Sequence, residues 1–274
     1  MKKITTAIDA ALRAGGAIME IYKRDFEIEF KADESPLTEA DKAAHHIIVD
    51  ALEELGLPIL SEESKAIAYA DRKDWEKYWL VDPLDGTKEF IKKNGEFTVN
   101  IALIENGRPV MGVVYAPVLQ TIYYGSLPAD GERRTEDGAW KAMDCTDKSV
   151  DEVLSSSVSL PITNNQSPIT REAAPLRVVA SRSHCNDETK AFIAELEKEG
   201  RVELVSSGSS LKLCLVAEGS ADVYPRIAPT MEWDTAAAQA VVEASGATVV
   251  QYGTDDPLAY NKENLLNPYF VVSR

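Results

Sequence analysis

Apolar residues in this chain keep two periods in turn, and that alternation restricts the fold more than any single motif. Ile4, Ile8, Leu12, Ile18 and Tyr22 share one face of a helix predicted over 4–23. Ala44, Ile47, Ile48, Ala51 and Leu55 share one face of a second, which opens after Ser35-Pro36-Leu37-Thr38 and stops at Gly56. Strand-like runs follow at 58–60, 78–81, 98–104, 110–116 and 121–124. Glu105-Asn106-Gly107-Arg108-Pro109 reads as a hairpin loop, and Trp140 as one end of a fourth strand of that meander. Beyond 155–175, rich in Ser, Asn and Pro, strands at 176–180, 202–205, 221–224 and 269–272 mix with helices at 187–198, 209–217 and 233–245. Helices and strands that each own one apolar face must stack to bury it. The pattern therefore predicts an α/β fold of the α+β layered-sandwich kind, with alternating layers of helices and mixed sheets. The 155–175 stretch reads as a long surface connection. It divides an N-terminal α+β part, 1–150, from a C-terminal α/β part, 151–274, and a chain of this length can hold two such units on a shared core.

Charge narrows the function. Asp and Glu number 45 against 29 Lys and Arg, a formal net charge of −16, the opposite of a nucleic-acid binder's basic footprint. No apolar run is long enough to span a membrane, and the N-terminus lacks the continuous apolar core of a secretory signal. Cys145, Cys185 and Cys214 are odd in number and widely spaced, which argues against a disulfide framework or a cysteine metal site. The expectation is a cytoplasmic protein, with peripheral association at the inner membrane and the oligomeric state left open. Most of the acid solvates the surface. If such a chain handles phosphates, something must offset the repulsion locally, and carboxylates holding divalent cations would do so.

Val81-Asp82-Pro83-Leu84-Asp85-Gly86-Thr87 is the strongest local signal. Apolar residues run straight into Asp82, Pro83 fixes the backbone and Gly86 permits a tight turn. Asp82 and Asp85 can then converge on one point with the Leu84 carbonyl between them, an oxygen set that suits a hard cation such as Mg²⁺. Gly86-Thr87 would open a short helix whose free amides suit a phosphate. Glu62-Glu63 follows a short apolar strand, Asp41 sits on the first turn of a helix, and Asp234 lies where Glu232-Trp233-Asp234-Thr235 opens another. Each segment alone equally fits an ordinary role: an Asp-Pro/Asp-Gly turn, a dipole-favoured acid or a helix cap. Spacing does not bring the four together.

Taken together the segments resemble the inositol monophosphatase superfamily of lithium-sensitive, magnesium-dependent phosphatases, from the first helix to the last strand. Asp82-Pro83-Leu84-Asp85-Gly86-Thr87 fits its first motif, Trp233-Asp234-Thr235-Ala236-Ala237 its second, and Glu62-Glu63 stands at the expected distance before them. The resemblance implies two or three Mg²⁺ ions. Glu62, Asp82 and the Leu84 carbonyl would hold one; Asp82, Asp85 and Asp234 a second; Glu62, with Asp41 nearby, a weaker third. Glu63 would support them. A water near Glu62 and Thr87 would attack phosphorus in line, oriented by Thr87 paired with Asp41, while the Gly86 and Thr87 amides hold phosphate oxygens.

Within the superfamily the second half is similar to the bacterial 3'(2'),5'-bisphosphate nucleotidase branch. The residues that carry this are Ala180-Ser181-Arg182-Ser183-His184, Gly208-Ser209-Ser210-Leu211-Lys212 and Asp222-Val223-Tyr224-Pro225-Arg226. By that resemblance Ser183, His184, Ser209, Lys212 and Arg226 line a nucleotide site. Lys212 and Arg226 are two cations suited to a second phosphate. The implied reaction removes the 3'-phosphate of adenosine 3',5'-bisphosphate to give AMP and phosphate, and acts likewise on 3'-phosphoadenylyl sulfate, a place in sulfur metabolism. The alternatives are an inositol or sugar monophosphatase, which would share every metal ligand, and a metal- or nucleotide-binding regulator that has lost catalysis.

Overall fold

The first apolar stripe forms α1 (Lys2–Tyr22). Strands β1 (Ile28–Phe30) and β2 (Pro36–Thr38) pair antiparallel and lead into α2 (Glu39–Glu53). Next come β3 (Ile59–Ser61), α3 (Tyr69–Arg72), β4 (Lys77–Asp85), the short α4 (Thr87–Ile91), β5 (Thr98–Glu105), β6 (Arg108–Ala116), β7 (Thr121–Ser126), β8 (Gly138–Ala142), α5 (Val150–Ser156) and β9 (Val158–Ser159). The second half runs β10 (Leu176–Ala180), α6 (Asp187–Glu199), β11 (Val202–Ser206), α7 (Leu211–Ala217), β12 (Val223–Arg226), α8 (Glu232–Ala244), β13 (Thr248–Gln251) and β14 (Phe270–Ser273). This computed structural model describes residues 2–30, 36–64, 67–128, 137–161, 174–180 and 186–274. Among them the larger sheets have seven strands, in the order β3-β4-β5-β6-β7-β8-β9, and five, in the order β11-β10-β12-β14-β13.

Period-2 alternation sends successive strand residues to opposite faces of the seven-stranded sheet. Trp79, Val81, Val99, Ile101, Val113 and Tyr115 pack with Ala7, Ala11, Ile18, Ala44 and Ile48 of α1 and α2. Tyr78, Leu80, Ala102, Ile104, Val114 and Tyr123 pack on the other side with α7 and α8. The same cluster reaches Val179, Tyr224, Val249, Phe270 and Val272 of the five-stranded sheet, so one buried core joins the two halves. Helix α6 lies against β11 and β12. The layers thus alternate helix, sheet, helix, sheet, helix, and the expected layered sandwich is what the chain forms. Each fully buried large side chain contributes about 1.5–3 kcal/mol.

Two features of this frame aim the site. The β4–β5 register pairs Asp82 with Asn100 and Asp85 with Thr98, so three steps on β4 answer two on β5. That extra residue is a bulge at Pro83-Leu84. In a regular strand residues three apart point to opposite faces; the bulge turns Asp82 and Asp85 to the same face, that of α7 and α8. Second, α8 rests directly on bare backbone. A Cβ built on Gly112 would lie 2.0 Å from the Ala237 carbonyl oxygen, and one on Gly125 3.0 Å from the Val241 Cα. Glycine is required at 112 for the helix to approach so closely, a side chain at 125 would crowd it by a few tenths of an ångström, and the small residues Ala237, Ala240 and Ala244 complete the contact.

Several expected boundaries move. Strand β4 continues through the bulge to Asp85 instead of ending at 81. Helix α7 starts at Leu211, not at 209, because Ser209 takes a left-handed φ of 52°. The stretch read as connection from 155 begins inside α5, and β9 pairs with β8, so the crossing between sheets falls after Ser159. Residues 162–173 lie outside the described residues. Strands β1, β2 and β13 and helices α3 and α5 carried too short a pattern to be read from the sequence.

Candidate active site

Carboxylates from three elements meet beside the bulge. Glu62 follows β3, its amide donating to the Val81 carbonyl at 3.1 Å. One carboxylate oxygen each from Glu62, Asp82 and Asp234 lies within 4.8 Å of the others. Asp82 is 1% exposed. Burial pushes its pKa well above the ordinary range, and repulsion from Glu62, Asp85, Asp234 and Asp41 adds to the shift. Asp234 is raised to about 8, by burial first and by Asp85 second. The donor set is all oxygen, and these carboxylates repel one another when ionised. That is the chemistry of a hard-cation site.

In each aspartate one oxygen is anchored. Asp82 Oδ1 accepts from the Leu84 amide at 3.1 Å, and Asp234 Oδ2 from the Met231 amide at 2.8 Å. Asp85 Oδ2 accepts from the Ser210 amide at 2.7 Å, the Ser210 hydroxyl at 2.8 Å and the Ser209 hydroxyl. Asp41 Oδ2 takes the Thr38 amide at 2.8 Å and the Thr38 hydroxyl at 2.6 Å, and its Oδ1 faces the Thr87 hydroxyl at 3.2 Å. The same Thr87 hydroxyl lies 3.3 Å from the Leu84 carbonyl. Burial raises the Asp41 pKa, against the lowering effect of the Thr38 bonds. Glu63 stands outside the three-carboxylate group; its amide donates to the Ser61 hydroxyl at 3.4 Å.

The opposite wall is basic. A pocket lined by Asp85, Gly86, Ser209, Lys212, Arg226 and Asp234 joins the acidic cluster to α7 and β12. Lys212 is 7% exposed, and its ammonium donates to the Ser209 carbonyl at 2.6 Å. Burial lowers its pKa to about 8, against the pull of Asp85. Arg226 donates from Nη2 to the Pro229 carbonyl at 2.8 Å, while its buried Nε and the buried Thr230 hydroxyl have no hydrogen-bond partner among the described residues. Ser183 and His184 lie outside the described residues. Ser209 lines the pocket with its hydroxyl turned to Asp85. Asp222, from the same motif as Arg226, is held by the Arg177 guanidinium at 2.9 Å and takes no part.

Sequence reasoning missed the residues that hold the aspartates. Thr38-x-x-Asp41 was legible as a capping pair. Ser210 stood inside a motif segment that assigned it no role, and Asn100 and Thr98 carried no local signal. Nor did the clamp on the first turn of α8: buried Glu232 accepts from the Asn261 amide at 2.8 Å and the Lys262 ammonium at 2.5 Å, and Asn267 donates to the Met231 carbonyl at 2.9 Å.

Known proteins resemble this chain in sequence and in fold over nearly its whole length. The sequence model of the Inositol monophosphatase family matches residues 1–269. The 3'(2'),5'-bisphosphate nucleotidase CysQ of Escherichia coli strain K12 is 46% identical over 268 residues, 96% of each chain. The crystal structure of CysQ from Bacteroides thetaiotaomicron superposes with a TM-score of 0.85 at 49% identity, covering 99% of this chain and 97% of that one. An inositol monophosphatase from Thermotoga maritima shares the fold at a TM-score of 0.72 and 22% identity, covering 100% of this chain and 92% of that one. The chain therefore belongs to the inositol monophosphatase family.

Proposed function

We propose that this chain is a Mg²⁺-dependent 3'(2'),5'-bisphosphate nucleotidase that hydrolyses the 3'-phosphate of adenosine 3',5'-bisphosphate, and of 3'-phosphoadenylyl sulfate, within sulfur metabolism. One observation carries the reading: the pocket that holds Asp85 and Asp234 also holds Lys212 and Arg226. A substrate with two phosphates uses both walls, one phosphate at the carboxylates and the other at the two cations. The 46% identity to CysQ nucleotidases over nearly the whole chain supports it.

Glu62, Asp82, the Leu84 carbonyl, Asp85 and Asp234 would hold two or three Mg²⁺ ions. When bound, these supply charge neutralisation for the phosphoryl oxygens and ease deprotonation of the attacking water. The protein's own groups do the rest. The Thr87 hydroxyl, donating to Asp41, keeps its lone pairs free to accept from a water and orient it in line with phosphorus. As that water loses a proton to Thr87, Thr87 passes its own to Asp41, whose raised pKa suits it as the acceptor. Gly86 lines the pocket, and its amide and that of Thr87 precede the hydrogen-bonded part of α4, open to a phosphate oxygen. Lys212 and Arg226 fix the second phosphate and with it the register of the ribose.

Phosphate release from 3'-phosphoadenosine 5'-phosphate against inositol 1-phosphate, with Mg²⁺ and in excess chelator, tests this. We expect kcat/KM to favour the bisphosphate, activity to vanish in chelator and lithium to inhibit. Preference for the inositol phosphate would replace the nucleotidase with a sugar phosphatase; full activity in chelator would remove the cations.

A further inference from the structure

Donors from two segments converge on one oxygen of Asp85. Ser210 contributes its amide at 2.7 Å and its hydroxyl at 2.8 Å, and Ser209 its hydroxyl; Thr98 and Asn100 of β5 stand at the outer limit of a hydrogen bond, each at 3.5 Å. The Ser210 hydroxyl has two more neighbours. It accepts from the Asn100 side-chain amide at 2.8 Å and lies 2.8 Å from the main-chain carbonyl of Asp234. Ser210 and Asn100 are each 1% exposed, so water cannot take the place of either. The left-handed turn at Ser209, φ 52°, aims two successive residues at one oxygen. Such a turn is strained for an L-residue, a strain held where the site needs it.

We propose that Ser210 is a positioning residue of the cation site. By saturating Oδ2 it leaves Oδ1 as the atom Asp85 offers a cation. The one hydroxyl proton of Ser210, shared between Asp85 Oδ2 and the Asp234 carbonyl, also registers the start of α8 against the bulge of β4, so ligands from the two halves meet in one geometry. Ser210 lines the pocket, but its hydroxyl is turned to Asp85 Oδ2 and not to the pocket; Asn100 acts through it by orienting the hydroxyl. This rests on the reading of Asp85 and Asp234 as cation ligands.

The test is Mg²⁺ binding by calorimetry, with the Mg²⁺ dependence of phosphate release beside it. Ser210→Ala keeps the amide and removes only the hydroxyl. It should weaken Mg²⁺ binding about 10- to 100-fold, the usual cost of losing a group that orients a metal ligand. The rate at saturating Mg²⁺ should return close to wild type, because the hydroxyl that is lost faces Asp85, Asn100 and the Asp234 carbonyl. Asn100→Ala should shift Mg²⁺ affinity in the same direction by less, and the double variant should be no weaker than Ser210→Ala alone. Wild-type Mg²⁺ affinity in Ser210→Ala, or losses that add in full, would overturn the proposal; a serine that only supports the fold would lower the melting temperature and leave Mg²⁺ affinity alone. If Ser210→Ala does not fold, Asn100→Ala decides, and unchanged Mg²⁺ affinity there overturns it. A wild-type protein that binds no Mg²⁺ would sink the cation reading itself, a result distinct from tight binding that Ser210→Ala leaves untouched.

Discussion

The two walls of the pocket are moved toward neutrality by the same cause, but they differ in what opposes it. On the acidic wall burial raises Asp234 to about 8, and repulsion from Asp85 pushes the same way; only the Met231 amide and the charge of Arg226 pull back. On the basic wall burial lowers Lys212 to about 8; Asp85 opposes this, Arg226 adds to it by repulsion, and Glu89 and Glu96 again favour the charged form. The acids therefore aggravate one another, and the lysine is buffered by them. An acidic wall without cations holds repulsion that Arg226 offsets only in part. A basic wall without phosphate already has partners, among them the Ser209 carbonyl at 2.6 Å. It follows that disturbing the acidic wall should cost far more activity than disturbing the basic one.

The largest effect is expected at Asp82, which faces four other carboxylates. Asp82→Asn should lower kcat/KM about 10³-fold or more, at or beyond the upper end for one preorganised polar group. In chelator the same variant should melt no lower than wild type, since a repelled, buried acid has been removed. A modest loss of rate, or a large loss of stability, would contradict the contrast between the walls. Thr87→Ala comes next, with kcat reduced about 10²–10³-fold while Mg²⁺ affinity holds. A variant that binds Mg²⁺ poorly at unchanged kcat would make Thr87 a structural group.

The basic wall should respond more mildly and only to the right substrate. Lys212→Ala or Arg226→Ala removes a charge-assisted contact of about 1.5–3 kcal/mol, so kcat/KM for the bisphosphate should fall roughly 10- to 100-fold. A substrate with a single phosphate should be little affected. Equal losses on both would place these residues in folding or chemistry.

The smallest effects are those of pH on stability. Asp234 has a folded pKa raised above its unfolded value near 4, so its contribution is fully present below about pH 4 and is lost as pH rises through about 8. Lys212 is the reverse: its folded pKa is depressed, so its contribution is present above about pH 10 and is lost as pH falls through about 8. In chelator, calorimetric melting should show the Asp234 loss between pH 6 and 8.5, and Asp234→Asn should flatten it. Each kcal/mol is worth about 2–4 °C for a chain of this size. Mg²⁺ should restore more stability at pH 8.5 than at pH 6, because at the lower pH protons compete for the same oxygens. Equal Mg²⁺ stabilisation at both values would contradict the pKa of Asp234.

What could be read from the sequence was whatever local pattern controls. The long helices α1, α2 and α8 and the strands of the meander follow from apolar period, and Asp82, Asp85, Thr87 and Asp234 from their motifs. The convergence of Asp82 and Asp85 was anticipated, but its cause, a bulge defined against Asn100 and Thr98, is a matter of strand pairing that no local pattern displays. Asp41 and Asp234 each admitted an ordinary reading, a dipole-favoured acid and a helix cap, beside the functional one, and the structure shows both as capping residues. One oxygen of each bonds a main-chain amide three residues back, at Thr38 and Met231, and the cap itself orients the carboxylate. Ser210 was hidden for another reason. It stood in a motif segment, but its partners Asn100, Asp85 and Asp234 are far away along the chain, so its role could not be read there.

The seat of α8 on Gly112 and Gly125 limits how this protein can be altered or can drift. Replacing a strand glycine is ordinarily a cheap way to stiffen a sheet, yet a methyl group at 112 would stand 2.0 Å from the Ala237 oxygen, and the helix would have to lift. Asp234 rides on the first turn of that helix and would lift with it. A variant library screened for thermal tolerance alone could accept such a change through compensating repacking, while a screen for phosphate release should reject it. Position 112 should thus divide stability selection from activity selection, although it does not lie in the pocket.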